Sequence, residues 1–207
     1  MNYTHLIDPE LKSIAKRVPY NKFLIKTANI YQMLAFALTG IPREISCKRI
    51  IIRENGRLPL KVAIYEPASA ADKLPCLLYI HGGAFSYKRQ PIIKACLYLC
   101  IGSKLQGGPS DYHLLPEHPY PTAYQDVLSV YKWLLKNAES LLIDRELIGI
   151  AGDSSGGAIA AAICNAYEKV ALPIPCAQML IYPVTDASMS TKSIKLYSDT
   201  PLWNSPK

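Results

Sequence analysis

Between Leu147 and Ala151 the chain runs apolar, turns through Gly152-Asp153-Ser154-Ser155-Gly156-Gly157, and continues at once into the alanine-rich segment Ala158 to Tyr167. A buried strand that leads straight into a helix through a glycine-flanked serine restricts the fold more than composition does. The turn leaves no room for side chains at Gly152 and Gly156, and its strain lifts the Ser154 hydroxyl clear of the backbone. The helix that follows points its free N–H groups and the positive end of its dipole at the same place. The Ser155 N–H is therefore aimed at any negative charge that develops beside Ser154. A phosphate-binding turn is the rival, but neither G-x-G-x-x-G nor G-x-x-x-x-G-K-S/T occurs in the chain.

A second loop stands in a matching position. His81-Gly82-Gly83-Ala84-Phe85 follows Leu74 to Ile80, a continuous apolar run of the kind shown by a strand buried on both faces. Glycines there let backbone donors approach a substrate carbonyl closely, and each such donor is typically worth about 3 kcal/mol of transition-state stabilisation. Ala84 stands third in the run, at little expected cost because it keeps its N–H.

The remaining elements place these loops. Arg49 to Arg53 and Leu60 to Tyr65 flank Asn55-Gly56, a strong hairpin signal. Pro121 to Asn137 carries Ala123, Val127, Val130, Tyr131 and Leu134 on one helical side, and Met179 to Tyr182 is a short strand. An opening hairpin followed by strands alternating with helices predicts an α/β domain with a mostly parallel sheet. Before it, Met1 to about Thr39 reads as two helices. The first starts at Asp8-Pro9-Glu10. The second, Asn21 to Leu38, bears Phe23, Leu24, Ala28, Tyr31, Leu34, Ala35 and Leu38 near a 3.6-residue period, and Gly40-Ile41-Pro42 stops it. No strand precedes the pair, so its apolar stripe is expected to pack on something later in the chain.

With 207 residues, half of them hydrophobic and 19% charged, the chain can bury a core and is not intrinsically disordered. The net charge is +7, and its basic pairs, Lys16-Arg17, Lys48-Arg49 and Lys88-Arg89, are scattered and read as solvated surface and not as a nucleic-acid site. Met1 to Asp8 lacks the pattern of a secretory signal. The longest apolar stretch, Ala28 to Ile41, is interrupted by Asn29, Gln32, Thr39 and Gly40 and falls short of the roughly 18 residues of a membrane span. Cys47, Cys76, Cys96, Cys100, Cys164 and Cys176 form no CxxC pair, and Cys96 with Cys100 lacks the further ligands of a metal site. The expectation is a reducing, cytoplasmic setting with no metal, no cofactor, no nucleic acid and no membrane as partner.

The ordered series HGGAF, then DYHLLPEHPYPTAYQD (Asp111 to Asp126), then GDSSGG resembles the hormone-sensitive lipase-like branch of the α/β-hydrolase esterases, from roughly Cys47 to Trp203. That resemblance implies an α/β-hydrolase core over residues 46–207 behind an N-terminal helical cap segment over residues 1–45. It also implies hydrolysis of small carboxylic esters, usually with short acyl chains, through a serine acyl-enzyme without cofactor. By motif match Ser154 is the nucleophile, and Gly82, Gly83, Ala84 and Ser155 line the oxyanion hole. His81, Gly152, Asp153, Gly156 and Gly157 are scaffold. His81 orders its loop, because the triad base in this fold follows the serine. His113 and His118 brace the core near the site, Asp126 is structural, and Asp186 and Asp199 come too early to be the triad acid.

Two departures from the family pattern stand out. Triad members follow the order Ser, Asp or Glu, His, yet no histidine occurs after His118. The expected reading is therefore a C-terminally truncated hydrolase with neither triad acid nor base in the chain, and Met179 to Tyr182 as an open edge strand inviting self-association. The second departure is Gly102-Ser103-Lys104-Leu105-Gln106-Gly107-Gly108-Pro109-Ser110, where the family has a buried strand between the second and third. Three glycines and a proline disfavour a central strand. With intact motifs on either side, this points to a local pair of compensating frameshifts or a sequence error, genuine divergence being the alternative. The rivals to an esterase are a non-catalytic binding protein on the same fold, then a peptidase, then a basic nucleic-acid module.

Overall fold

The hairpin opens the sheet through a longer connection than Asn-Gly alone implies. In the computed structural model, which describes residues 5, 7–12, 21–38, 41–88 and 106–196, Ile45–Ile52 (β1) pairs antiparallel with Leu60–Pro67 (β2), Ile52 opposite Leu60. Asn55-Gly56 forms the turn within the intervening loop. There the Arg57 N–H donates to the Glu54 carbonyl at 3.1 Å and Gly56 takes a φ of 74°.

Leu74–Ile80 (β3), Gln106–Asp111 (β4), Ile143–Asp153 (β5) and Gln178–Ile181 (β6) complete a six-stranded sheet in the order β1-β2-β4-β3-β5-β6. β4 runs antiparallel to β2, and the β4-β3-β5-β6 pairs are parallel. A central strand at Gln106–Asp111 overturns the expectation from its glycines and proline. The sequence there lacks strand propensity, but β2 and β3 flank it with two ladders that need a partner. Its pairing with β2 skips Gly108 and Pro109, running from Lys61–Asp111 and Val62–Ser110 to Tyr65–Gly107. The missing proline N–H falls in that gap. Along β3 the register runs unbroken from Cys76–Gln106 to Tyr79–Pro109.

Thr122–Asn137 (α2) buries Val127, Val130, Tyr131 and Leu134, as its periodicity predicts. Ser155–Asn165 (α3) adds Ile159, Ala160 and Ile163 to the same core as Leu78, Ile80, Ile148 and Ile150. Tyr167–Val170 (α4) is a single further turn.

Lys22–Ala37 (α1) confirms the second N-terminal helix but not its packing face. Phe23, Tyr31, Leu34 and Leu38 are 72%, 73%, 56% and 88% exposed, while Ile25 is buried and Ala28, Asn29 and Gln32 are half-buried. α1 is apolar on several sides, so periodicity alone does not select the side that docks. Of the first N-terminal helix the described residues hold its start, the 3-10 turn Pro9–Leu11, capped by the Asp8 carboxylate accepting from the Glu10 N–H at 2.9 Å, and residues 13–20 lie outside the described residues.

Residues Ile25–Thr185 form one compact unit; Met1–Leu24 with Asp186–Lys207 form another, in which Lys192–Leu196 (α5) is helical. Lys16, Arg17, Arg89, Cys96, Cys100, Asp199 and Trp203 lie outside the described residues. Among the described residues no helix is long and apolar enough to cross a membrane, and no cluster of three His, Cys, Asp or Glu is placed to hold a metal ion.

Candidate active site

β5 ends at Asp153 and α3 begins at Ser155, so Ser154 alone makes the turn, at φ 50° and ψ −118°. That backbone conformation is costly for a residue with a side chain and persists only where its surroundings hold it. The Ser154 N–H donates to the Ile181 carbonyl at 2.9 Å, and its carbonyl accepts from Ala158 at 3.1 Å and Val184 at 3.2 Å. The glycines permit the close approach. A Cβ on Gly152 would lie 2.5 Å from the Gly156 carbonyl group, and one on Gly156 would lie 2.1 Å from the Ile80 carbonyl oxygen. Strand, turn and helix are thus pressed against the end of β3, where the second motif begins.

Asp153 joins the two motifs. Its carboxylate is 1% exposed and accepts from the Gly82 N–H at 2.7 Å and the Tyr79 hydroxyl at 3.0 Å. The Gly82 N–H is therefore already committed, which removes it from the donors open to an oxyanion. Gly83 and Ala84 follow, half-buried and exposed respectively, with no hydrogen bond from either N–H among the described residues. The Ser155 N–H opens α3, where an amide has no partner within the helix.

The loop itself is strained. Gly83, Ala84 and Phe85 have φ of 123°, 51° and 57°. Ala84 therefore occupies a left-handed position that favours glycine, which corrects the expectation that an alanine there costs little. Phe85 is held by its N–H to Ser155 Oγ at 3.3 Å and by its carbonyl, which accepts from Leu115 at 2.8 Å.

His81 is buried and stacked on Tyr112, with ring centroids 4.5 Å apart and planes inclined by 15°. Its Nδ1 lies 2.7 Å from the Gly82 carbonyl, which can only accept, so Nδ1 carries the proton. Burial pushes the imidazole pKa below the usual histidine value. The Tyr112 hydroxyl donates to the His81 carbonyl at 2.8 Å, and burial raises the phenol pKa. The tyrosines that tie these loops, Tyr79 and Tyr112, were not singled out by sequence. Tyr112 sits inside the Asp-Tyr-His series, whereas Tyr79 reads only as one more strand residue.

The His113 side chain pairs with Asp126. Its Nδ1 and its N–H both meet Asp126 Oδ2, at 2.8 and 2.9 Å, and its ring meets His118 edge-on at 4.8 Å. Asp186 accepts from the Ser188 N–H at 2.8 Å within its own turn, and hydrogen bonds from that turn lower its pKa. No histidine hydrogen-bonds the Ser154 hydroxyl among the described residues. A cavity of about 460 Å³ opens one helical turn beyond Ser154, between Phe85, His118, Tyr124, Ala158 and Ala162. Ser154 does not line it.

The family described as alpha/beta hydrolase fold matches residues 77–207. Carboxylesterase NlhH of Mycobacterium tuberculosis is 30% identical over 203 residues, 95% of this chain and 63% of its own length. Esterase LipI of the same organism is 33% identical over 95% of this chain and 62% of its own. Among solved structures, esterase LipW from Mycobacterium marinum superposes with a TM-score of 0.83 at 27% identity, covering 97% of this chain and 65% of that one. The hyperthermophilic esterase from the archaeon Pyrobaculum calidifontis gives 0.79 at 27%, covering 93% and 63%. The chain thus spans somewhat less than two thirds of the length of these relatives. With the strand-turn-helix at Ser154 and the glycine loop at His81 facing one another across Asp153, the chain belongs to the α/β-hydrolase fold family, in its hormone-sensitive lipase-like, esterase branch.

Proposed function

We propose that this chain carries the nucleophile and the oxyanion donors of a serine carboxylic ester hydrolase acting on small esters of short acyl chains. The observation that carries the reading is Ser154 at φ 50° in a glycine-walled turn, with Asp153 linking that turn to the loop that presents the Gly83 and Ala84 amides. Ser154 Oγ would bond to the acyl carbon while its proton leaves to a base. The carbonyl oxygen becomes an oxyanion facing the N–H groups of Gly83, Ala84 and Ser155. The carbon–oxygen bond to the alcohol then breaks, the alcohol takes up a proton, and water repeats the sequence on the acyl-enzyme.

The proton is the weak point of the 207-residue chain. A serine hydroxyl is a poor nucleophile until a base takes its proton, and removing the base from a related triad costs about a millionfold in turnover. All four histidines precede Ser154, and none of them pairs with it among the described residues. The pure chain is expected to hydrolyse 4-nitrophenyl butyrate no faster than its Ser154→Ala variant. Fast, Ser154-dependent release of nitrophenol would overturn the statement that no base serves Ser154.

The second reading is a non-catalytic binding protein on this fold. Slow capture of an organophosphonate at Ser154 separates the esterase reading from it. Two further expectations belong here as proposals. A reducing cytoplasm suits the free thiols of Cys47, Cys76, Cys164 and Cys176. Self-association through β6 suits a strand that pairs only with β5 among the described residues, and sedimentation over a concentration series would reveal it.

A further inference from the structure

α1 reaches the candidate oxyanion loop through the Asn29 side chain. Asn29 Nδ2 donates to the Ser86 carbonyl at 3.0 Å, and Asn29 Oδ1 accepts from the Lys88 N–H at 2.8 Å. A carbonyl only accepts and an N–H only donates, so the two partners together fix the orientation of the amide. Asparagine is a poor helix former, yet it stands inside α1 on the side that docks, next to the buried Ile25 and half-buried Ala28.

The residues that Asn29 grips close a loop that carries its own turn, with the Ser86 and Tyr87 N–H groups donating to the Gly83 carbonyl at 2.9 and 2.8 Å, yet holds two strained positions. Ala84 and Phe85 are left-handed without being glycine, a conformation that persists only when the surroundings over-determine it. From the body of the sheet the loop is restrained at Gly82 by Asp153 and at Phe85 by Ser155 and Leu115. Its far end is restrained at Ser86 and Lys88 by Asn29, with Lys88 Nζ also 2.9 Å from Asp111. Gly83 and Ala84 lie between Gly82 and Phe85, and the Asn29 anchor closes the loop from just beyond Phe85.

We infer that Asn29 is a positioning residue for the oxyanion site: by pinning Ser86 and Lys88 it keeps the Gly83 and Ala84 N–H groups aimed, so that docking of α1 and formation of the site are one event. This rests on the proposed role of those two amides, and it needs no base. The test is amide-resolved NMR on the ¹⁵N-labelled 207-residue chain, with butyrate as the anionic probe of the amides. Asn29→Ala is expected to move the Gly83 and Ala84 resonances, to speed hydrogen exchange at Lys88, and to weaken butyrate binding about tenfold, as loss of one or two hydrogen bonds implies. Asn29→Asp keeps the acceptor for Lys88 and loses the donor to Ser86, so it is expected to fall between, and it carries the test if the alanine variant does not fold. Tyr131→Phe, which removes a distant hydroxyl bonded to Pro173, is expected to change none of these.

Unchanged Gly83 and Ala84 resonances and Lys88 exchange in both Asn29 variants would overturn the inference, and so would equal changes in Tyr131→Phe. If the loop amides respond to Asn29→Ala but the wild-type chain binds no butyrate, the clamp stands and the oxyanion role proposed for those amides fails.

Discussion

Removing the Asp153 carboxylate is the most informative single perturbation of the scaffold, because one buried group there accepts from Tyr79 at the end of β3 and from Gly82 in the loop after it, with the Tyr182 hydroxyl a third donor at 3.5 Å. In Asp153→Ala the Gly82 N–H and the Tyr79 hydroxyl, now bonded at 2.7 and 3.0 Å, lose their acceptor in a region where Tyr79 is 5% exposed. A donor stranded inside a protein costs about 1–3 kcal/mol. Two such donors, partly relieved by loop relaxation and water entry, give an expected loss of about 2–4 kcal/mol. Asp153→Asn keeps one oxygen acceptor and is expected to lose less than about 1.5 kcal/mol. Urea unfolding followed by circular dichroism, with the slope m compared between variants, measures both. An Asp153→Ala chain within about 0.5 kcal/mol of wild type at unchanged m would refute the claim that this carboxylate joins the two loops.

Other outcomes follow from the same geometry. Ala84→Gly relieves a left-handed alanine and is expected to stabilise the chain by about 0.5–1 kcal/mol, seen as a higher melting temperature; a lower one would contradict the strain assigned to that position. Gly156→Ala forces a Cβ against the Ile80 and His81 carbonyls at 2.1 and 2.6 Å, so a loss above about 3 kcal/mol is expected, and a variant that melts like wild type would show the turn to be looser than described. His81 is held neutral by burial, its folded pKa lying below the ordinary 6.5. The unfolded chain therefore binds the extra proton first as pH falls, and the His81 contribution is whole above about pH 6.5 and is lost progressively below it. His81→Gln is expected to flatten that part of the stability profile, and an unchanged slope between pH 7 and 5 would count against it.

The sequence carried the site further than it carried the frame around it. Motifs written in glycine and serine survive translation into structure because their spacing is a steric requirement: Gly152 and Gly156 are glycine since neighbouring backbone occupies the space of a Cβ. The buried strands β3 and β5 and the face of α2 follow from apolar runs and periodicity, which burial enforces. β4 was not legible, since its strand state comes from the two ladders beside it and not from Gly107, Gly108 and Pro109. Nor was the docking side of α1, where a polar Asn29 and a single buried Ile25 mark the contact while the periodic apolar stripe faces outward. The commitment of the Gly82 amide to Asp153 is likewise a tertiary fact, because nothing in HGGA distinguishes which of its N–H groups will be spent.

The central proposal is that the fold poises Ser154 as a nucleophile, with no histidine paired to it among the described residues. Prolonged incubation of the pure chain with a fluorophosphonate, followed by intact-mass and peptide mapping, tests it most directly. The predicted result is one slowly formed adduct per chain, located on Ser154 and absent from Ser154→Ala. No adduct after exhaustive incubation, or an adduct on another residue at the same rate, would contradict it.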